Sequence, residues 1–171
     1  FGIIYGISPF GLAKQLKCSN SEAKEFIDSY FLRFPNIRNY MDDIKRKLYS
    51  DGYVETLFGR RMHINIQKNS NQNLNLFSER QAINAPIQGT AADIIKLAMV
   101  KVQNKLKEID SDSKILLQVH DELVFEVNSK DIEEIIALVK PIMENAHLPV
   151  KPLNVKLSVD HGFAKNWADA H

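Results

Sequence analysis

The chain has 171 residues, 22 Lys+Arg against 21 Asp+Glu, one cysteine and a hydrophobic fraction of 44%. These values suit one globular domain, or one domain with an appendage. They exclude a disulfide framework, a disordered or collagen-like chain, and a binder of nucleic acid by overall charge. No apolar run approaches the ~18 residues of a membrane span, so a soluble protein in a reducing compartment, the cytoplasm, is expected.

The sequence begins FGIIYGIS with no Met before it. We therefore expect a piece of a longer protein, cut inside an apolar element. The next signal is Ser19-Asn20-Ser21, an N-cap followed by Glu22 and Glu25 in a first turn. Ala23, Phe26, Ile27, Tyr30, Phe31 and Phe34 then recur at helical spacing, and Pro35 stops or kinks that helix. Ile37, Tyr40, Met41, Ile44 and Leu48 continue the pattern to Gly52, a C-cap. Apolar runs at 53–57 and 62–66 flank Phe58-Gly59-Arg60-Arg61 and predict a short hairpin. A long helix is expected over about 75–108, interrupted at Pro86. Two β-rich runs, 114–119 and 123–127, follow. A last helix begins after Ser129, with Ile132, Ile135, Ile136, Val139, Ile142 and Met143 on one face. A further strand is expected over 154–159. Helices with local antiparallel strands read as α+β. Cys18 reads as a small buried apolar residue.

The near-zero net charge is a cancellation. Residues 45–107 carry net +7, and residues 108–144 carry net −7. Such runs are usually solvated faces, but a basic zone beside an acidic one also suits a site for a polyanion and metal ions.

Two patterns carry chemistry. In the run 115–127 only His120 and Asp121 separate two strands. A two-residue hairpin favours Gly or Asn where φ must be positive. Neither residue is Gly, so the turn should be strained, as functional turns often are. Asp121 would stand at the tip with Glu122 beside it, a start for binding a hard cation. Asp is also simply a common turn residue. The second pattern is Arg80, Asn84 and Gln88, at i, i+4 and i+8 on one helix face. Donors in a row suit the minor-groove acceptors that every base pair presents alike. A merely solvated face would look similar.

With these residues in hand, FGIIYGIS (1–8), GYVETLFGRR (52–61), ERQAINAPIQGTAADIIK (79–96), LLQVHDELVFEV (116–127) and the ending NWADAH resemble the C-terminal polymerase region of bacterial family A DNA polymerases. The motifs stand in the family's order and the resemblance covers the whole chain. It implies a helical fingers portion over 1–51 and a palm portion over 52–171, with a small antiparallel sheet that includes the VHDE hairpin at 114–127. It implies a DNA-directed DNA polymerase of replication and repair. Such an enzyme adds deoxynucleotides to a primer 3′-OH with two Mg²⁺ ions. By the same resemblance Asp121 and Glu122 are catalytic and metal-binding. Phe1 and Tyr5 face the incoming deoxynucleoside triphosphate and the template base. Arg80, Asn84, Gln88 and His120 contact primer–template DNA.

The family's Arg-x-x-x-Lys phosphate grip and its second catalytic Asp would lie before Phe1. The chain alone is therefore expected to have little or no activity and weak DNA affinity. A non-catalytic DNA-binding module and a self-associating piece stand as alternatives.

Overall fold

The computed structural model describes residues 2–66 and 72–170, and nothing is said of the side chains of Gln72 and Asn73. The chain divides into two compact units, Phe1–Gln88 and Gly89–His171.

In the first unit, three helices follow one another because each boundary is written locally. α1 (Pro9–Leu16) starts at Ser8, whose hydroxyl accepts from Gly11 N–H at 3.1 Å, with Pro9 in the first turn. Pro is tolerated there because its missing N–H would be orphaned anyway. No helix is predicted at this position, although the Ser-Pro pair is its signal. α2 (Asn20–Arg33) opens on a capping box between Ser19 and Glu22. Two otherwise orphaned donors are satisfied reciprocally, and the backbone bond holds the Glu22 carboxyl below its usual range. α3 (Pro35–Asp51) begins immediately after Phe34 and ends at Gly52, which has φ +74. Only Gly adopts that conformation at no steric cost.

Leu12, Ala13 and Ala23 form one buried cluster, with Ile3, Ile7, Cys18 and Ile27 packed against it. The predicted stripe on α2 is only partly buried, since Phe26 is 60% exposed.

β1 (Tyr53–Glu55) pairs antiparallel with β2 (Arg61–His63), Val54 opposite Met62. Val54, Leu48 and Ala82 form a second buried cluster with Ile44, Met62, Ile64, Ile66 and Ala85 around it. Burying Leu48, 1% exposed, contributes about 2–3 kcal/mol.

α4 (Gln72–Glu108) runs from the first unit into the second. Pro86 lies inside it, and the helix is continuous there rather than interrupted as predicted. A proline in a helix interior removes one i→i−4 bond, and the buried face of α4 around Ala82, Ile83 and Pro86 outweighs that loss.

In the second unit, β3 (Lys114–Val119) and β4 (Glu122–Glu126) form an antiparallel hairpin, and α5 (Ile132–Glu144) follows. Val102, Leu106, Ile135 and Val139 are its buried centre, and Ile115, Phe125 and Val127 pack against them from the hairpin and its end. Pro141 sits inside α5 as Pro86 does inside α4.

The strand predicted over 154–159 does not form; those residues are irregular. Val155, Leu157 and Val159 alternate as a strand should, but alternation supplies a face and not a partner. No strand among the described residues pairs with it, and Val155 is 70% exposed. Val159 N–H instead donates to Glu144 Oε1 at 3.2 Å. A single 3-10 turn, Trp167–Asp169, closes the described chain.

Candidate functional site

The hairpin of the second unit places the predicted carboxylates. Val119 pairs with Glu122, leaving a two-residue turn of His120 and Asp121. His120 has φ +53, in the left-handed region. That conformation costs a non-glycine residue roughly 1–2 kcal/mol. The strain predicted for this turn is therefore present, and it is carried by His120.

Gln118 braces the turn, since its side-chain amide donates to the His120 carbonyl. Gln118 is not among the predicted site residues; its signal in the sequence is an amide side chain two positions before the turn. His120, Asp121 and Glu122 are all exposed. The Asp121 carboxylate has no ion pair or hydrogen bond among the described residues.

Strand pairing sorts the two hairpin faces. Ile115, Gln118, Leu123 and Phe125 share the face whose Ile115 and Phe125 meet the core. Leu117, Val119, Glu122 and Val124 share the other. The pairing slips by one residue between Ile115 and Leu117, with Leu116 the extra residue of a β-bulge. Bulges of this kind re-aim side chains and recur next to active sites.

Among the described residues no group of three or more His, Cys, Asp and Glu is placed to hold a metal. The donors at the tip are nonetheless of the right chemistry for Mg²⁺. That ion takes oxygen ligands, and one or two carboxylates commonly suffice when substrate phosphates and waters complete the shell. Asp121 and Glu122 fit that part.

The first unit holds the other predicted residues. Arg80, Asn84 and Gln88 lie within α4 at the predicted spacing. Arg80 and Gln88 are exposed, and Asn84 is half-buried. The Asn84 Oδ1 atom is buried and accepts no hydrogen bond among the described residues. Tyr5 lies in the N-terminal turn just before Gly6, which has φ +75. A Cβ at Gly6 would lie 3.6 Å from Arg80 Cγ and 3.8 Å from both Ile83 Cδ1 and Met41 Cε. The turn that carries Tyr5 is thus packed on the helix that carries Arg80. A cleft of about 160 Å³ opens there, lined by Gly6, Met41, Lys45, Glu79, Arg80 and Ile83 among others. Phe1 lies outside the described residues.

Cations of the basic middle are partly engaged. Lys45 pairs with Glu79 at 3.0 Å, and Lys47 and Arg61 both bind Glu55. The Lys47 hydrogen bond, with a smaller contribution from Arg61, holds the Glu55 carboxyl below its usual range. In the second unit a shallow cleft of about 500 Å³, lined by Lys101, Asn104, Pro141 and Asn145 among others, contains none of the predicted residues. No helix among the described residues is long and apolar enough to cross a membrane.

Comparison with known proteins bears on the chain as a whole. The family model for DNA polymerase family A matches residues 1–169. DNA polymerase I of Rhizobium leguminosarum is 50% identical over 173 residues, which is all of this chain and 17% of that protein. DNA polymerase I of Pseudomonas aeruginosa is 46% identical, again over all of this chain and 18% of that protein. Among solved structures, the "POL domain of Pol1 from M. smegmatis complex with DNA primer-template and dNTP" superimposes with a TM-score of 0.92 at 45% identity. That match covers 99% of this chain and 29% of the other. The chain therefore spans less than a fifth of the length of these curated relatives, and it belongs to the family A DNA polymerases.

Proposed function

We propose that this chain is the part of a longer, cytoplasmic DNA polymerase that presents one metal-binding carboxylate pair and a minor-groove contact face to primer, template and nucleotide. Residues 1–51 then belong to the fingers and residues 52–171 to the palm. The observation that carries this reading is the hairpin tip. A strained, braced turn holds Asp121 and Glu122 outward, in a chain whose fold matches a polymerase domain described as bound to primer–template and dNTP. Strain kept at an exposed turn points to a purpose other than stability.

In this reading Asp121 and Glu122 would hold Mg²⁺ with substrate phosphates. The ions, when bound, polarise phosphoryl oxygens and help deprotonate the primer 3′-OH. The protein's own residues orient and bind. Asp121 supplies fixed negative charge at the tip, and Glu122 supports it from the strand face turned away from the core. His120, held by its turn, lies beside them to meet the primer end. Arg80, Asn84 and Gln88 donate toward base edges of the pair just formed, which every correct pair offers in nearly the same place. Tyr5 and Phe1 offer flat aromatic faces to template base and nucleotide.

The test is primer extension. In the longer enzyme, Asp121→Ala abolishes extension while primer–template affinity is kept; retained extension overturns the assignment. The 171-residue chain alone gives no extension and binds primed duplex weakly, with an affinity that falls as salt rises. Self-association of the isolated chain is a second reading, favoured by Leu116 and Leu117, each about half exposed, and by Phe163 at 62%. Light scattering that shows a monomer at all concentrations removes it.

A further inference from the structure

We infer that Tyr40 is a positioning residue for the DNA-contact face of α4, holding the turn that Pro86 weakens; this rests on the polymerase reading above. Pro86 has no N–H, so the carbonyl of Ala82, four residues before it, lacks its helical partner, and the ring crowds that same carbonyl. This loss falls between Arg80 and Gln88, in the middle of the face whose spacing must be kept. The neighbouring carbonyl belongs to Ile83. Tyr40, from α3, donates its hydroxyl to that carbonyl at 3.0 Å. The bond spans 43 residues of sequence and ties one helix to the other. Tyr40 is half-buried, and burial pushes its phenol above the usual 10.0. The hydroxyl therefore keeps its proton and remains a donor throughout the working range.

Asn84, the central contact residue, follows Ile83 directly. Its side-chain oxygen is buried with no donor among the described residues, so none of them anchors the side chain through that atom. The backbone one residue earlier is the point that is held. Further toward the start of α4, the same helix α3 is fastened again: Tyr49 donates to Glu79 Oε1 at 2.9 Å, and Lys45 pairs with Glu79. Tyr49 is 48% exposed, and its bond lies beyond Arg80, away from the proline. The two tyrosines thus make comparable bonds to one helix, and only one of them is at the weakened turn.

The experiment is a steady-state comparison in the longer polymerase with Tyr40→Phe, Tyr49→Phe, Gln88→Ala and the double variant Tyr40→Phe/Gln88→Ala. Phe keeps the ring and removes only the hydroxyl. Tyr40→Phe is expected to raise KM for primer–template about three- to tenfold, the value of one hydrogen bond. Its kcat stays within about twofold and its Tm is nearly unchanged. Tyr49→Phe leaves KM unchanged. In the double variant the effects fall short of additive, because one residue acts through the face that contains the other. Full additivity, equal effects of the two tyrosines, or a lowered Tm with unchanged KM overturns the inference. If Gln88→Ala itself leaves KM unchanged, the contact face is wrong and the DNA reading fails first. If Gln88→Ala weakens binding while Tyr40→Phe does not, only the role of Tyr40 falls.

Discussion

The two hairpins of this chain solve the same backbone problem in opposite ways. In the β1–β2 hairpin the position with positive φ is Gly59, at +83, and Thr56, 5% exposed, anchors the turn. Thr56 N–H donates to the Arg60 carbonyl and Gly59 N–H to the Thr56 carbonyl, both at 3.0 Å. The carboxylate nearby, Glu55, is held by Lys47 and Arg61, and the Arg61 guanidinium lies 4.7 Å from the Tyr53 ring centroid. In the β3–β4 hairpin the positive φ is taken by His120, and the adjacent Asp121 carboxylate stands exposed at the tip. The first turn spends no strain and compensates its charge within the fold. The second keeps its strain and presents its charge outward. The contrast separates a turn shaped for stability from a turn shaped for a ligand.

That contrast can be broken or sharpened by substitution. The largest expected effect is on turnover. Asp121→Ala in the longer enzyme reduces extension about a thousandfold, corresponding to the several kcal/mol that charge stabilisation around a bound metal supplies, with Tm unchanged. Glu55→Ala, which removes a carboxylate of the other hairpin, leaves extension within about threefold. Next comes the core under the first hairpin. Leu48→Ala lowers stability by about 2–5 kcal/mol through a cavity, read by urea denaturation.

The turns themselves come third. A Cβ on Gly59 meets nothing within 4 Å. Gly59→Ala therefore costs only the conformational term, about 1–2 kcal/mol. His120→Gly moves stability the other way or leaves it unchanged, within about 1 kcal/mol, while extension falls. A large loss of stability in His120→Gly would mean that the second turn is also structural.

The smallest effect is acid dependence. The folded-state pKa of Glu55 is depressed, so its contribution is present above the ordinary value of 4.5 and is lost as pH falls below it. Lys47 is raised by the same bond, so its contribution is present below 10.5 and is lost at higher pH. Glu55→Gln flattens the acid limb of the stability profile without touching the neutral region. An unchanged acid limb shows that the pair contributes nothing measurable, as for many surface pairs.

What could be read from the sequence follows from how local each cause is. The Ser19–Glu22 cap, the Pro35 boundary, the Gly52 stop and the two-residue turn at His120–Asp121 depend on neighbours a few positions away. The Arg80–Asn84–Gln88 spacing is equally local. Pro86 misled because its cost is local, while the burial that offsets it comes from elsewhere in the fold. The absent strand at 154–159 misled for the converse reason: a strand needs a partner, and none is encoded in its own pattern. The Tyr40–Ile83 bond and the bracing of His120 by Gln118 were invisible because they require knowing which backbone atom lies in reach.

The bulge at Leu116 has a consequence for how this hairpin can vary. Without it, Ile115 and Leu117 would share a face, since side chains alternate with a period of two. With it they point to opposite faces, so the base of β3 and its tip are phased separately. The base answers to Val102, Leu106, Ile135 and Val139, against which Ile115 packs. The tip answers to the turn alone. Deleting Leu116 would regularise the ladder and leave Leu117, Gln118 and Val119 opposite Val124, Leu123 and Glu122 on their present faces. Pairing Leu116 regularly instead of bulging it would turn Leu117, Gln118 and Val119 to the opposite faces and leave the metal-site motif in the sequence with its presentation inverted.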